Sequence, residues 1–75
     1  MLMDKEIGQR LKELRISQGK SQAAMAELCL VSRPAWSQWE KGSKRITLEH
    51  AARLALKLGV SIDWITLGRE PKEHV

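Results

Sequence analysis

Apolar residues recur along this 75-residue chain at helical intervals, and no stretch shows the sustained alternation that a strand requires. Ile7, Leu11 and Leu14 fall at i, i+4 and i+7, one stripe on a first helix predicted over Asp4–Ser17, with Gly19 as its stop. A second helix is expected over Ser21–Leu28, with Met25, Ala26 and Leu28 as a small apolar face. A break at Cys29–Leu30–Val31 separates it from a third, Ser32–Lys41, in which Trp36 and Trp39 at i, i+3 mark the inner side. Pro34 fits the first turn of that helix, where the missing N–H costs nothing. The fourth helix, Thr47–Leu58, has a broad face for burial made of Leu48, Ala51, Ala52, Leu54, Ala55 and Leu58, and Gly59 ends it. A short fifth helix follows Ser61. Ser21, Ser32, Thr47 and Ser61 each stand where a side-chain oxygen can cap a helix, an interaction worth roughly 1 kcal/mol over alanine. The expected fold is all-α, a compact five-helix bundle.

The length allows one domain, residues 1–68, with 69–75 as a flexible tail. An apolar content of 43% is enough for a core, and three tryptophans carry all the aromatic packing because Tyr and Phe are absent. A single cysteine, Cys29, leaves no intramolecular disulfide and no cysteine-rich zinc module, which points to a reducing cytoplasm. Neither a signal-peptide pattern nor a membrane span is visible. His50 has no companion at metal-ligand spacing, no paired nucleophile and base stands out, and no glycine-rich phosphate loop is present. The expectation is therefore a non-enzyme without metal or cofactor.

Charge changes the picture more. Thirteen basic residues against nine acidic give a net charge of +4, which favours a polyanionic partner. Between Val31 and Arg45 there are four basic residues (Arg33, Lys41, Lys44 and Arg45) and a single acid, Glu40. With both tryptophans inward, Arg33, Pro34, Ser37 and Gln38 face outward from the third helix. Arg33 has the fork that suits guanine O6 and N7 in a major groove, and Gln38 could pair with adenine or lie along the backbone. Pro34 can supply only apolar contact, for example to a thymine methyl. The loop Gly42–Thr47, with Lys41, Ser43, Lys44, Arg45 and its own amides, could clamp phosphates; a merely solvated basic loop is the alternative.

The stretch SQAAMAELCLVSRPAWSQWEKG resembles the helix-turn-helix of the lambdoid phage repressor/Cro family, also called the XRE family. Gln22, Ala26, Val31, Ser32, Ser37, Trp39, Glu40 and Gly42 match its pattern as they stand, while Met25 and Trp36 are apolar replacements. The resemblance spans about Ile7 to Gly68 and implies the phage-repressor arrangement of five helices, with the motif at helices 2 and 3. It also implies an ion pair between Arg15 and Glu40, and phosphate contacts for Ser21, Gln22 and Ser32 at the helix N-termini. Gln22 taken alone would be an ordinary surface residue. The ending VSIDWITLG is similar too, and there the corresponding helix helps to pair two subunits. Ile62, Trp64 and Ile65 cannot all point inward from so short a helix, so they are the candidates for dimerisation. The family usually places glycine in the turn where Leu30 stands. A left-handed backbone at leucine costs about 1–2 kcal/mol, so this turn is either strained or shaped differently.

These features imply a sequence-specific regulator of transcription, a repressor that binds a pseudo-palindromic operator in double-stranded DNA as a homodimer, in the cytoplasm and without a membrane. A second reading is an antitoxin-like module that neutralises a protein partner and autoregulates its operon. RNA binding lacks the exposed aromatic platform it usually needs.

Overall fold

The computed structural model describes residues 2–70 and 72, of which Leu2 contributes its backbone alone. Five helices follow one another: α1 (Leu2–Ser17), α2 (Gln22–Cys29), α3 (Arg33–Lys41), α4 (Leu48–Leu58) and α5 (Ile62–Leu67). The first begins two residues earlier than the pattern suggests, which places Asp4 inside its first turn, where an acid complements the helix dipole. α1 packs on α3 and α5, α2 packs on α3 and α4, and α4 packs on α5.

Each of the last four helices starts on its predicted cap. Ser21, Ser32, Thr47 and Ser61 have extended backbones and accept from the amides of Ala24, Ala35, His50 and Trp64. Each of these helices ends on a left-handed residue, and three of the four are glycines. The fourth is Leu30, with φ 61° and ψ 41°. The Leu30 and Val31 amides close the end of α2 on the carbonyls of Glu27 and Ala26, the pattern of a Schellman cap. So the turn keeps its usual shape and leucine bears the strain. Its side chain is 72% exposed and gains little from burial in return.

The core gathers Ile7, Leu11 and Leu14 of α1, Met25, Ala26 and Cys29 of α2, and both tryptophans of α3. Ala51, Leu54, Val60, Trp64 and Ile65 close it from the other side. Trp36 and Trp39 meet edge to face with ring centres 5.7 Å apart, and His50 lies against Trp39 at 5.1 Å. Leu48 departs from its expected place: it is 73% exposed, because Ala51 and Leu54 set the inward face of α4 and Leu48 falls to one side of it. Arg10 of α1 clamps the far side of the bundle. Its Nε donates to the Ile65 carbonyl at 2.8 Å and its Nη2 to that of Thr66 at 3.0 Å, near the C-terminal end of α5. Part of the expected tail is also tied down. Ser61 donates its amide to the Lys72 carbonyl at 2.7 Å, and the Lys72 ammonium sits 4.7 Å from the centre of the Trp64 ring. Residues 71 and 73–75 of that tail lie outside the described residues.

Gly8 sets the distance between α1 and α3. A Cβ at this buried position would fall 2.3 Å from the Trp39 carbonyl oxygen and 2.6 Å from that of Glu40. Both obstacles are backbone, so no side-chain adjustment relieves them. Gly8→Ala is expected to lower stability in urea unfolding by at least about 2 kcal/mol, since the helices must part to admit the methyl. Leu30→Gly should do the reverse. Relief of about 1–2 kcal/mol of left-handed strain, less the entropy glycine adds to the unfolded chain, leaves a gain of roughly 0.5–1 kcal/mol. Leu30→Ala keeps the strain and should show no gain.

Candidate nucleic-acid interface

α3 is oriented by the residue near its end. The Glu40 carboxylate receives Arg15 Nε at 2.6 Å on Oε2 and Arg15 Nη2 at 3.3 Å on Oε1. Gln22 Nε2 donates to Oε1 at 3.0 Å, and the Trp36 indole N–H donates to Oε2 from one turn earlier in α3. Donors from α1, α2 and α3 thus converge on one carboxylate, whose side chain is 5% exposed. Burial disfavours its ionised form, but the hydrogen bonds from Arg15, Gln22 and Trp36 and the Arg15 charge outweigh that. They hold the carboxyl below its ordinary value of 4.5. A third Arg15 nitrogen, Nη1, reaches the Lys20 carbonyl at 3.2 Å and ties down the link between α1 and α2.

With α3 held by its inner face, its outer face is fixed. Arg33, Pro34 and Gln38 are exposed and Ser37 is half-buried beside them. Ser21, Ser32, Lys41, Ser43, Lys44 and Arg45 are exposed around this face. Ser21 and Ser32 use an oxygen lone pair for capping, which leaves each hydroxyl hydrogen free to donate outward.

Two parts of the sequence-based expectation need correction. The first three amides of the loop after α3 are not free to form a phosphate clamp, because they already cap the helix. Gly42 donates to the Trp39 carbonyl, and Ser43 and Lys44 donate to that of Gln38. The loop side chains and the amides of Arg45, Ile46 and Thr47, which take no part in that cap, remain for an anion. One Gln22 Nε2 hydrogen goes to Glu40, and the other remains for a further acceptor. Trp64 and Ile65, expected at a subunit contact, are 5% and 0% exposed within the protomer's own core. They are drawn there as α5 packs on α1 under the Arg10 clamp. Of that trio Ile62 alone keeps a partly open side chain.

Asp4 is a member of this surface that sequence reasoning missed. Its Oδ1 accepts from Arg45 Nε at 2.6 Å, and the arginine side chain remains 51% exposed. Nothing local signals a pair separated by 41 positions. Cys29 is enclosed, and burial pushes its thiol up to about 11 against the opposing charge of Arg53, so it is neither nucleophile nor ligand near neutrality. Among the described residues, no His, Cys, Asp and Glu side chains group as metal ligands. No described helix is long and apolar enough to cross a membrane.

Residues 11–65 match the family model described as Helix-turn-helix. Over 61 residues, 81% of this chain, the sequence is 36% identical to the SPbeta prophage-derived uncharacterized HTH-type transcriptional regulator YonR of Bacillus subtilis (strain 168). The chain spans 56% of the length of that relative. Among solved structures it is similar to the P22 c2 repressor protein in complex with synthetic operator 9T, at 30% identity and a TM-score of 0.78, covering 84% of this chain and 96% of that one. It is also similar to the restriction-modification controller protein C.AhdI from Aeromonas hydrophila. There the identity is 31% and the TM-score 0.74, over 81% of this chain and 92% of that one.

The Glu40 network makes stability pH-dependent with a definite sign. The folded carboxyl ionises below 4.5 and the unfolded one near it, so between those values the unfolded chain binds more protons. The contribution of Glu40 is complete above pH 4.5 and is lost as pH falls through the folded value. Glu40→Gln is expected to cost about 3 kcal/mol at neutral pH by stranding Arg15, and to flatten this part of the acid limb. Urea unfolding from neutral pH to below pH 4 measures both effects.

Proposed function

The chain belongs to the XRE-type helix-turn-helix family, and on that premise we propose that it is a sequence-specific DNA-binding regulator of transcription. It acts as a repressor, binding a pseudo-palindromic operator as a homodimer with α3 of each subunit in the major groove. Half-sites then lie about one helical turn, roughly 34 Å, apart. The observation that carries this reading is the outer face of α3, where Arg33, Pro34 and Gln38 stand exposed beside a row of exposed cations. The similarity to a repressor solved on a synthetic operator supports it.

The contacts divide by chemistry. Arg33 at the tip of α3 reads a guanine edge through two parallel hydrogen bonds, and Gln38 lies farther along the same groove. Pro34 meets an apolar patch such as a thymine methyl. Lys41, Lys44 and Arg45, with the hydroxyls of Ser21, Ser32 and Ser43, bind phosphates on either side and carry register rather than sequence. Gln22 joins them through its second Nε2 hydrogen, beside the amides at the start of α2. Occupying a promoter is enough for repression, and no chemical step is needed.

Selection from a pool of random duplexes at two salt concentrations tests the reading. An enriched inverted repeat that persists at the higher salt is the expected result. Binding without sequence preference that vanishes with salt would overturn it and leave a protein partner as the better account. On the selected site, Arg33→Ala should cost about 1–3 kcal/mol and relax preference at one base position. Lys44→Ala should weaken all duplexes alike and reduce the salt slope by about one. Asp4→Asn frees Arg45 from its internal partner, and should raise affinity for all duplexes by a factor of about two to five.

A further inference from the structure

α4 has apolar side chains on two sides, and only one side is covered. Ala51 and Leu54 are buried, whereas Leu48 and Leu56 are 73% and 86% exposed. With Ala52 between them they form a stripe at i, i+4 and i+8. Leu56 stands as a ridge between two shallow grooves, one running toward α5 past Ala55 and Ile62, the other bordered by Glu49, Arg53 and Lys57. Single exposed leucines are ordinary on a protein surface; two on one stripe beside an apolar groove are not.

The charges along this stripe say what covers it. Glu49, Arg53 and Lys57 form a parallel row, one position farther round the helix. Arg53, between the other two, borders both the groove beside Leu56 and a hollow with Glu27 and Leu28, and its charge reaches the Cys29 thiol. The row has an acid at its N-terminal end and a base at its C-terminal end. Set against its own reverse, both ends are complementary, and Arg53 meets its own copy at the centre.

We propose that a second copy of this chain packs on the stripe, with the two α4 helices antiparallel about a twofold axis near Ala52. Leu48 then meets the partner's Leu56, and the reciprocal contact repeats it across the axis. The small side chain of Ala52 faces its own symmetry mate and lets the helices approach. Glu49 reaches the partner's Lys57 at both ends. A parallel pairing would set Glu49 against Glu49 and Lys57 against Lys57, which disfavours it. The proposal rests on the homodimer reading above and moves the contact away from Trp64 and Ile65, which are enclosed in the protomer.

The dimer so formed is weak. The 11 residues of α4 span about 16 Å, too short to supply alone the roughly 800 Å² per partner of a standard interface. A micromolar dissociation constant is expected, with two half-sites on one duplex supplying the remaining stability.

Sedimentation equilibrium of the full chain without DNA, from low micromolar to sub-millimolar concentration, tests the surface. The expected result is a monomer–dimer equilibrium whose dissociation constant rises at least about tenfold in Leu56→Glu, while circular-dichroism melting is unchanged. Glu49→Lys and Lys57→Glu should each weaken the dimer, and the two together should restore it, because both copies then carry the reversed row. Ala52→Cys should oxidise to a disulfide-linked dimer, and the wild type should not, since Cys29 is buried. A chain that stays monomeric throughout, or a dimer indifferent to Leu56→Glu, would overturn the proposal. DNA recognition is judged separately. Enrichment of an inverted repeat by a protein whose dimer ignores these substitutions would uphold the operator reading and reject this surface.

Discussion

One buried carboxylate does most to give this small domain a defined shape. Glu40 takes donors from α1, α2 and α3, so the crossing of three helices is specified by a polar group and not by apolar packing alone. Apolar contacts among Ile7, Leu11, Met25 and the tryptophans are non-directional, and they would tolerate small rotations of α3. A bidentate guanidinium, an amide and an indole N–H fixed on two oxygens would not. The two causes complement each other. Gly8 lets α1 and α3 approach until backbone meets backbone, and the network sets the angle at that distance.

The same arrangement decides what is left for a ligand. The tryptophans and Glu40 occupy the inner side of α3, so Arg33, Pro34, Ser37 and Gln38 are the side chains it turns outward. The amides of Gly42, Ser43 and Lys44 are consumed in the cap of α3, and Glu40 takes one of the two Gln22 Nε2 hydrogens. Anion binding at this surface therefore falls mainly to flexible cations, one of which, Arg45, is shared with Asp4. Rigid backbone donors would bind a phosphate with little loss of freedom, whereas long side chains must be ordered first. Recognition of this kind leans on charge and so on ionic strength.

What the sequence discloses follows from range. Caps at Ser21, Ser32, Thr47 and Ser61 and the stripe Ile7–Leu11–Leu14 depend on neighbours within two turns, and all could be read from spacing. The outward face of α3 was legible because two tryptophans three apart leave little doubt about its inner side. The pairing of Arg15 with Glu40 came through a resemblance, since 25 positions separate them. The contacts of Arg10 with α5, Asp4 with Arg45, and Gly8 with the α3 backbone are long-range and carry no local signal. Trp64 and Ile65 were misjudged for the same reason. Six helical residues look too few to hide two large side chains until α1 is known to lie across them.

Leu30 and Leu56 raise opposite questions about exposed leucine. At Leu30 the backbone is strained and the side chain open, so the residue lowers stability without any visible return inside the protomer. At Leu56 the backbone is ordinary helix, and the only cost is apolar surface left in water. The two differ in what surrounds them. Leu30 borders a hollow lined with Lys20, Arg53 and Lys57, a basic setting whose single acid is Glu27. Its three bases outnumber that acid, so a second copy of this chain meets mostly like charge there. Leu56 lies on a row with an acid at one end and a base at the other, the arrangement that a reversed copy of itself satisfies. Exposure alone does not separate these leucines, but the sign and order of the charges beside them does.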